Sequence, residues 1–325
     1  MIFFLLETSP FISLILPYLV AMGNLFLIFL FLPITKWILD YFTPFEDDAE
    51  LTEKDNVAFG LTRAGEYVSV ILIIAGSLYG TSFHEAKDSP ILYSILQEYF
   101  ENFLWAGIGL IFLLLTKYYF LERILFPYFS ITKEVVNDQN AGAGAVEAAG
   151  LISIGMIIAC AISGENLTNP QWTLQLFQID FSKFLNHPFV LDLFSAFLFW
   201  ICGCLMLWLF SRCYEKTLGY SLHQEMEKDN ISAGVSYAFN LLAISLIVSK
   251  SIAGDFVSFT ISIEKFFFHS VLGFLILLFF RFLIDRILLP NRSIAEEIIE
   301  DQNLSVSFLE GFICLGIGLV LFLSL

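Results

Sequence analysis

Two glutamates of this chain stand where a charge is expensive. Glu147 and Glu310 each lie seven residues past an asparagine, Asn140 and Asn303, that opens a long apolar run. Arg63 and Tyr237 hold the same place relative to Asn56 and Asn230. Seven helical residues rise about 10 Å, so this position falls inside the hydrocarbon of a membrane. An ionised side chain near mid-membrane costs at least ~2.5–3.5 kcal/mol on insertion scales. Groups placed there must face protein or water, take up a proton, or pair. Arg63 and Glu66, three apart, can pair with each other, and Glu147 of the next repeat is a second partner for Arg63. Asn240 stands in its repeat where Glu66 stands in the first and lengthens the polar stripe. Carboxylates and amides of this kind coordinate small cations or carry protons through membranes.

Counting from each asparagine, position +4 is Gly60, Gly144, Gly234 and Ser307. Positions 0, +4 and +7 share one helical face. Each helix thus presents an amide, a small residue that admits another backbone, and a large polar group. The four stripes are expected to converge on one interior seam. A plainer account stands beside this one. Asn56, Asn140, Asn230 and Asn303 begin helices, where asparagine is a good N-cap, and the acids before them suit the positive end of a helix dipole. On that account the repetition records duplication, the ion pairs only lock helices, and the glycines only pack.

The elements that carry these residues are membrane spans. The 325 residues are 58% hydrophobic and 15% charged, against about 25% charged in soluble domains. Apolar runs such as Leu104–Leu115 and Val271–Phe280 are apolar on every face, which fits helices and not the alternating strands of a barrel. The spans read as 11–39, 57–80, 102–126, 141–163, 188–211, 231–253, 267–289 and 304–325. Met1–Leu6 carries no basic residue, so a cleaved signal peptide is not expected.

The chain repeats itself. Glu53-Lys54-Asp55-Asn56 answers Glu227-Lys228-Asp229-Asn230, and Asp138-Gln139-Asn140 answers Asp301-Gln302-Asn303. Residues 121–140 align without a gap on 284–303, sharing Arg123/Arg286, Pro127/Pro290, Ser130/Ser293 and Glu134/Glu297. The expected fold class is all-α, a polytopic membrane protein of eight transmembrane helices, built as four two-helix repeats in two duplicated halves. The halves are drawn at 1–165 (repeats 1–84 and 85–165) and 188–325 (repeats 188–254 and 255–325), joined by an outward loop, 166–187. Each unit crosses twice, so the copies point the same way and their pseudo-symmetry axis lies along the membrane normal.

The run from Ser130 to Gly150, with Glu227–Ala238, Glu53–Gly65 and Ser293–Gly311, resembles a bacterial inner-membrane family catalogued as domain of unknown function 350. The resemblance covers nearly the whole chain as tandem copies. It implies a multi-pass membrane protein without an established activity. The family's commoner Gly-Asn pair is here Asp-Asn or Gln-Asn.

Lys and Arg set the expected orientation. Lys36, Lys54, Lys117, Arg123, Lys133, Arg212, Lys216, Lys228, Arg281, Arg286 and Arg292 fall on one side; Lys87, Lys183, Lys250 and Lys265 fall on the other. The first side is then cytoplasmic and both termini face outward. With a net charge of −16 and acidic loops, the cytoplasmic side favours cations and repels nucleic acid and anionic lipid heads. Segments such as Ser293–Asn303 can form short amphipathic surface helices, and Asn166-Leu167-Thr168 matches a glycosylation sequon without consequence in a bacterium.

No nucleophile motif, phosphate loop or Cys/His cluster is present, so neither an enzyme, a metal site nor a cofactor is expected. Cys160, Cys202, Cys204, Cys213 and Cys314 read as small hydrophobes. The expected partners are the lipid bilayer and, as candidates, a small cation or proton and a second copy or a cytoplasmic protein. Two functions compete. One is a channel or transporter for a small cation or proton, with Glu147 and Glu310 as coordinating or proton-carrying groups and Arg63–Glu66 as a gate or counter-ion pair. The other is a non-conducting scaffold or accessory subunit. Arg, Glu, Tyr and Glu at position +7 are not the four equal acids of a symmetric filter.

Overall fold

A computed structural model describes residues 10–43, 45–79, 91–127, 133–164, 173–174, 179–180, 188–254, 258–289 and 292–325. The sequon, Lys87, Lys183, Ser130 and Met1–Leu6 lie outside them. Among the described residues eight helices are long and apolar enough to cross a membrane. In chain order the elements are α1 (Pro10–Phe42), α2 (Val57–Leu78), α3 (Ile91–Thr116), α4 (Ala141–Ile162), α5 (Pro188–Glu215), α6 (Leu222–Glu227), α7 (Ile231–Ile252), α8 (Phe259–Leu288), α9 (Ile294–Ile299) and α10 (Leu304–Ser324). Three π-helical segments, Ala49–Glu53, Lys117–Leu125 and Lys133–Asn137, precede α2, extend α3 and precede α4. Thr173–Leu174 and Ile179–Asp180 form one antiparallel two-stranded pairing. The chain is an all-α polytopic membrane protein, as its apolar runs require.

Helices α3, α5 and α8 depart most from the spans that hydropathy suggests. Helix α3 begins at Ile91, since Gln97, Glu98 and Glu101 hide its first turns; α8 begins at Phe259 across Glu264 and Lys265; α5 runs on to Glu215. The expected short helix at Ser293–Asn303 is α9. Ser293 caps it, with the Ser293 hydroxyl accepting from the Glu296 amide and the Glu296 carboxylate accepting from the Ser293 amide. Ile294 and Ile298 form its buried face.

The second helix of each repeat (α2, α4, α7, α10) stands in a row, and each packs most extensively on the next. The packing follows one register. Position +4 of a helix meets position +2 of the helix before it. A Cβ added at Gly144 would strike the Ala58 backbone, and one at Gly234 would lie 2.6 Å from the Gly142 backbone. The Ser307 hydroxyl is 2.5 Å from that of Ser232. Further along, Ala148 (+8) lies against Gly65 (+9), Gly155 (+15) against Ser69 (+13), and Gly318 (+15) against Ala243 (+13). Indices rise together, so the four helices run parallel.

This corrects the expected single seam. The stripes do not converge; they mesh pairwise along a row, because the small residue of one helix fits the small residue two places past the cap of its predecessor. Gly60 is also not a close-approach site. It has no predecessor, and a Cβ there would meet only Leu51, at 3.7 Å.

The first helices form a second layer. Helix α3 packs on α2 and α4, α5 on α4 and α7, and α8 on α7 and α10. Neighbours in this layer touch through aromatic pairs such as Phe112–Trp200 and Phe210–Phe274, both stacked. Each first helix therefore occupies the groove between its own core helix and the previous one. Helix α1 has no previous core helix and among the described residues packs chiefly on α2 and α3; 17% of its apolar stretch is buried, against 67% for α4 and 78% for α7.

Candidate functional site: two buried charge clusters

Each core helix begins with the same local device. Asn56, Asn140 and Asn230 accept, through their side-chain oxygens, the amide of the residue three places on, at 3.0, 3.1 and 3.2 Å. Asn303 caps Ser305 and Val306. The residue before each asparagine, Asp55, Gln139, Asp229 or Gln302, has φ between 47° and 56°, the left-handed region that reverses the chain into the helix. These are the described non-glycine residues with positive φ.

The capping side chains also tie repeat to repeat. The Asn56 amide donates to the Val135 carbonyl (2.9 Å), Asn140 to Met226 (3.0 Å) and Asn230 to Ile298 (2.9 Å), each acceptor lying in the loop of the following repeat. Glu50 and Glu225 accept a second hydrogen bond from Asn56 and Asn230, and Glu297 accepts one from Asn303. All four asparagines are therefore committed to caps. Burial raises the Glu50 carboxyl, but hydrogen bonds from Lys54 and Asn56 outweigh it and hold the group below its ordinary value.

Position +7 is buried in all four repeats: Arg63, Glu147, Tyr237 and Glu310 are 3%, 2%, 1% and 0% exposed. The two glutamates are bound alike, by the hydroxyl at position +6 of the preceding core helix. The Thr62 hydroxyl donates to Glu147 at 2.7 Å, and that of Ser236 to Glu310 at 2.6 Å. Between the halves the corresponding pair is Val146 and Tyr237, and the Tyr237 hydroxyl instead donates to Glu215 at 2.9 Å.

Around this shared core the clusters differ. In the first half Arg63 donates to Asp47 (2.5 Å) and to Glu66 (2.6 Å), and Lys117 donates to the other Glu66 oxygen. Arg63 also lies over the Phe59 ring, 4.8 Å from its centre. Glu147 stands at the inner edge of this group, within the electrostatic reach of Lys117 and Glu66. In the second half Arg281 Nε donates to Glu310 (3.0 Å) and to the Tyr214 hydroxyl oxygen (2.8 Å).

Of the two partners expected for Arg63, then, Glu66 is engaged; Glu147 is not, and Asp47 takes that place. Asn240 donates to the Ser236 carbonyl of its own helix, and its side-chain oxygen has no partner among the described residues. Sequence reasoning passed over Asp47, Lys117, Arg281, Thr62, Ser236 and Tyr214. It counted Lys117 and Arg281 as flanking charges, although both fall inside the spans 102–126 and 267–289; they pair with buried acids within the bilayer-spanning helices. That position was itself the signal.

The first cluster reaches the surface. A cavity of about 270 Å³ is lined by Lys36, Asp40, Thr43, Phe45, Glu46, Asp47 and Asp48. Asp47 is thus shared between the cavity and the Arg63 pair. Burial raises its carboxyl above the ordinary value, against the pull of the Arg63 hydrogen bond. Beyond the cluster, toward the far ends of the core helices, Ile73, Ile154 and Ile158 are buried together with Ser69, Ser77 and Ser153. Among the described residues no group of three or more His, Cys, Asp and Glu is placed to hold a metal ion.

The comparison with known sequences agrees with this tandem geometry. The family described as Domain of Unknown Function (DUF350) matches residues 11–162 and again residues 188–325. The chain belongs to the DUF350 family. A relative, a UPF0719 transmembrane protein of Aquifex aeolicus (strain VF5), is 23% identical over 290 residues, covering 87% of this chain and 92% of the relative. No solved structure matches. In this DUF350 protein the two matched segments each contain one buried +7 glutamate, so one cluster falls in each segment.

Proposed function

We propose that this DUF350 protein moves a proton or a small cation across the cytoplasmic membrane, with Glu147 as the exchanging carboxylate. One observation carries the reading. The first cluster combines three carboxylates, Asp47, Glu66 and Glu147, with two cations, Arg63 and Lys117. Holding all three carboxylates ionised in a low-dielectric site is unfavourable, so one negative charge is left to be met by a proton or a cation. Glu66 is claimed by both cations and Asp47 by Arg63, which leaves Glu147, held by the Thr62 hydroxyl. The acid-lined cavity at Asp47 supplies the entry. Glu310, matched by Arg281, holds the second half together. The charged loops lie in the cytoplasm and both termini outside: with Lys117 and Arg281 set aside as buried pairs, basic residues still concentrate on that side.

Ion flux into proteoliposomes tests this. Wild type is expected to carry a pH-gradient-driven flux that Glu147→Gln reduces to background and a folded Glu310→Gln variant retains. A wild type silent under every gradient overturns the reading. It would favour a non-conducting scaffold or accessory subunit, in which the two clusters serve only to lock the helices together. No catalytic role is assigned to any residue on either reading.

A further inference from the structure

The row of core helices has two open ends, and they are complementary. Each internal junction uses an outgoing face, positions +2 and +13, and an incoming face, positions +4 and +8. Position +2 is Ala58, Gly142 and Ser232 where it is covered, and Ser305 at the last helix, where it is exposed. Position +13 is Ser69, Ser153 and Ala243 where covered, and Gly316 at the end, where a Cβ would meet nothing within 4 Å. The incoming pairs Gly144/Ala148, Gly234/Ala238 and Ser307/Gly311 are covered; Gly60/Ala64 on α2 keeps the small pattern although Ala64 is exposed.

A hydrogen bond is left open in the same register. Asn56, Asn140 and Asn230 each donate to a loop carbonyl of the following repeat, whereas Asn303 donates only to Glu297 of its own loop. The loop of the first repeat offers the matching segment at Leu51, five residues before Asn56, as Val135 and Ile298 lie five before theirs. Helix α1 repeats the pattern in the outer layer. Every other first helix lies between two core helices, and α1 has only one.

We propose that a second copy of this chain docks at these ends, its α2 and α1 receiving the α10 of the first, so that the row continues head to tail between subunits. Ser305 of one copy then lies against Gly60 of the next, Phe312 packs beside Ala64, and Asn303 donates to the Leu51 turn. Such a heterologous contact is not self-complementary within a pair; it closes into a ring when the rotation per copy divides a full turn. Duplication made the internal junctions from one surface, and the same surface is present, uncovered, at both ends. This inference is independent of any transport activity.

The test is cross-linking in native membranes with two differently tagged full-length versions, one carrying Gly60→Cys and the other Ser305→Cys, each compared with the parent chain and its five native cysteines. The expected result is a mixed cross-linked dimer that neither variant forms alone. Cross-linking of Ser305→Cys to itself, or none in the mixture, overturns the head-to-tail contact. Stepwise photobleaching of the labelled protein in lipid decides independently. The parent is expected to bleach in several steps and an Ala64→Phe variant, altered only on an exposed face, in fewer. Single-step bleaching of the parent overturns the proposal outright.

Discussion

Glu147 and Glu310 descend from one position and receive the same hydroxyl hydrogen bond, yet their surroundings differ in charge. Glu310 faces one cation, Arg281, braced by the Tyr214 hydroxyl. Glu147 sits in a cluster where carboxylates outnumber cations and which opens to a surface cavity through Asp47. The cations do not come from equivalent places either. Arg281 corresponds to position 118 at the offset of 163, one beyond Lys117, and the backbone after Lys117 is π-helical where the matching stretch of α8 is regular α-helix. Such π segments often accompany functional sites. A duplicated scaffold has thus kept one neutral pair for structure and built one unbalanced cluster.

The sharpest way to break this comparison is to remove one member of each cluster. Arg281→Met leaves Glu310 as a lone buried charge and is expected to cost about 3–5 kcal/mol. Glu310→Gln, which strands Arg281 near its edge, should cost about 1–3 kcal/mol. Glu147→Gln removes the surplus charge and should change stability by less than about 1 kcal/mol. Steric trapping or thermal unfolding in detergent reads all three. Equal losses for the two glutamine variants would mean that Glu147 is as firmly paired as Glu310, and the unbalanced cluster would be wrong.

Packing gives the next largest contrast. At Gly234 an added methyl has nowhere to go, since its place is 2.6 Å from the Gly142 backbone. Gly234→Ala must push α7 from α4 and is expected to cost about 1–3 kcal/mol. Gly60→Ala meets only the Leu51 side chain and should be neutral or stabilising by up to about 1 kcal/mol, through the better helix propensity of alanine. The same unfolding measurement checks both. A penalty at Gly60 would show that its face is already covered in the isolated subunit.

What the sequence made legible here was whatever is local. The eight spans follow from apolar runs, and the asparagine signature follows from capping, which involves neighbours within a few residues. The register of +4 against +2 was not legible, although both sets of small residues were there to read, because spacing within one helix does not say which face of another it meets. Convergence on one seam was inferred from shared spacing, and the parallel row replaced it. Asp47 was hidden by distance in the chain: it lies sixteen residues before Arg63, among loop acids that look alike. Lys117 and Arg281 were hidden differently, by the habit of counting every basic residue near a span end as topological.

Turns offer a smaller effect of opposite sign. Gln139 and Gln302 hold φ of 54° and 47°, a conformation that costs an ordinary L-residue roughly 1–2 kcal/mol and glycine almost nothing. Part of that gain is lost because glycine frees the unfolded chain. Gln139→Gly and Gln302→Gly are each expected to stabilise by about 0.5–1 kcal/mol. Asp55→Gly and Asp229→Gly should gain less, since aspartate tolerates this region better.

The smallest effect is a pH dependence that separates loop from bilayer. Glu50 is held below its ordinary value by Lys54 and Asn56 despite burial. A carboxyl lowered in the folded state contributes stability above its unfolded value and loses it as pH falls through the folded one. Wild-type unfolding in detergent should therefore weaken progressively on acidification below the normal carboxylate range, and Glu50→Gln should flatten that slope while leaving neutral-pH behaviour close to wild type. A slope left unchanged by Glu50→Gln would place the acid sensitivity elsewhere than in the Lys54 and Asn56 contacts of this carboxyl.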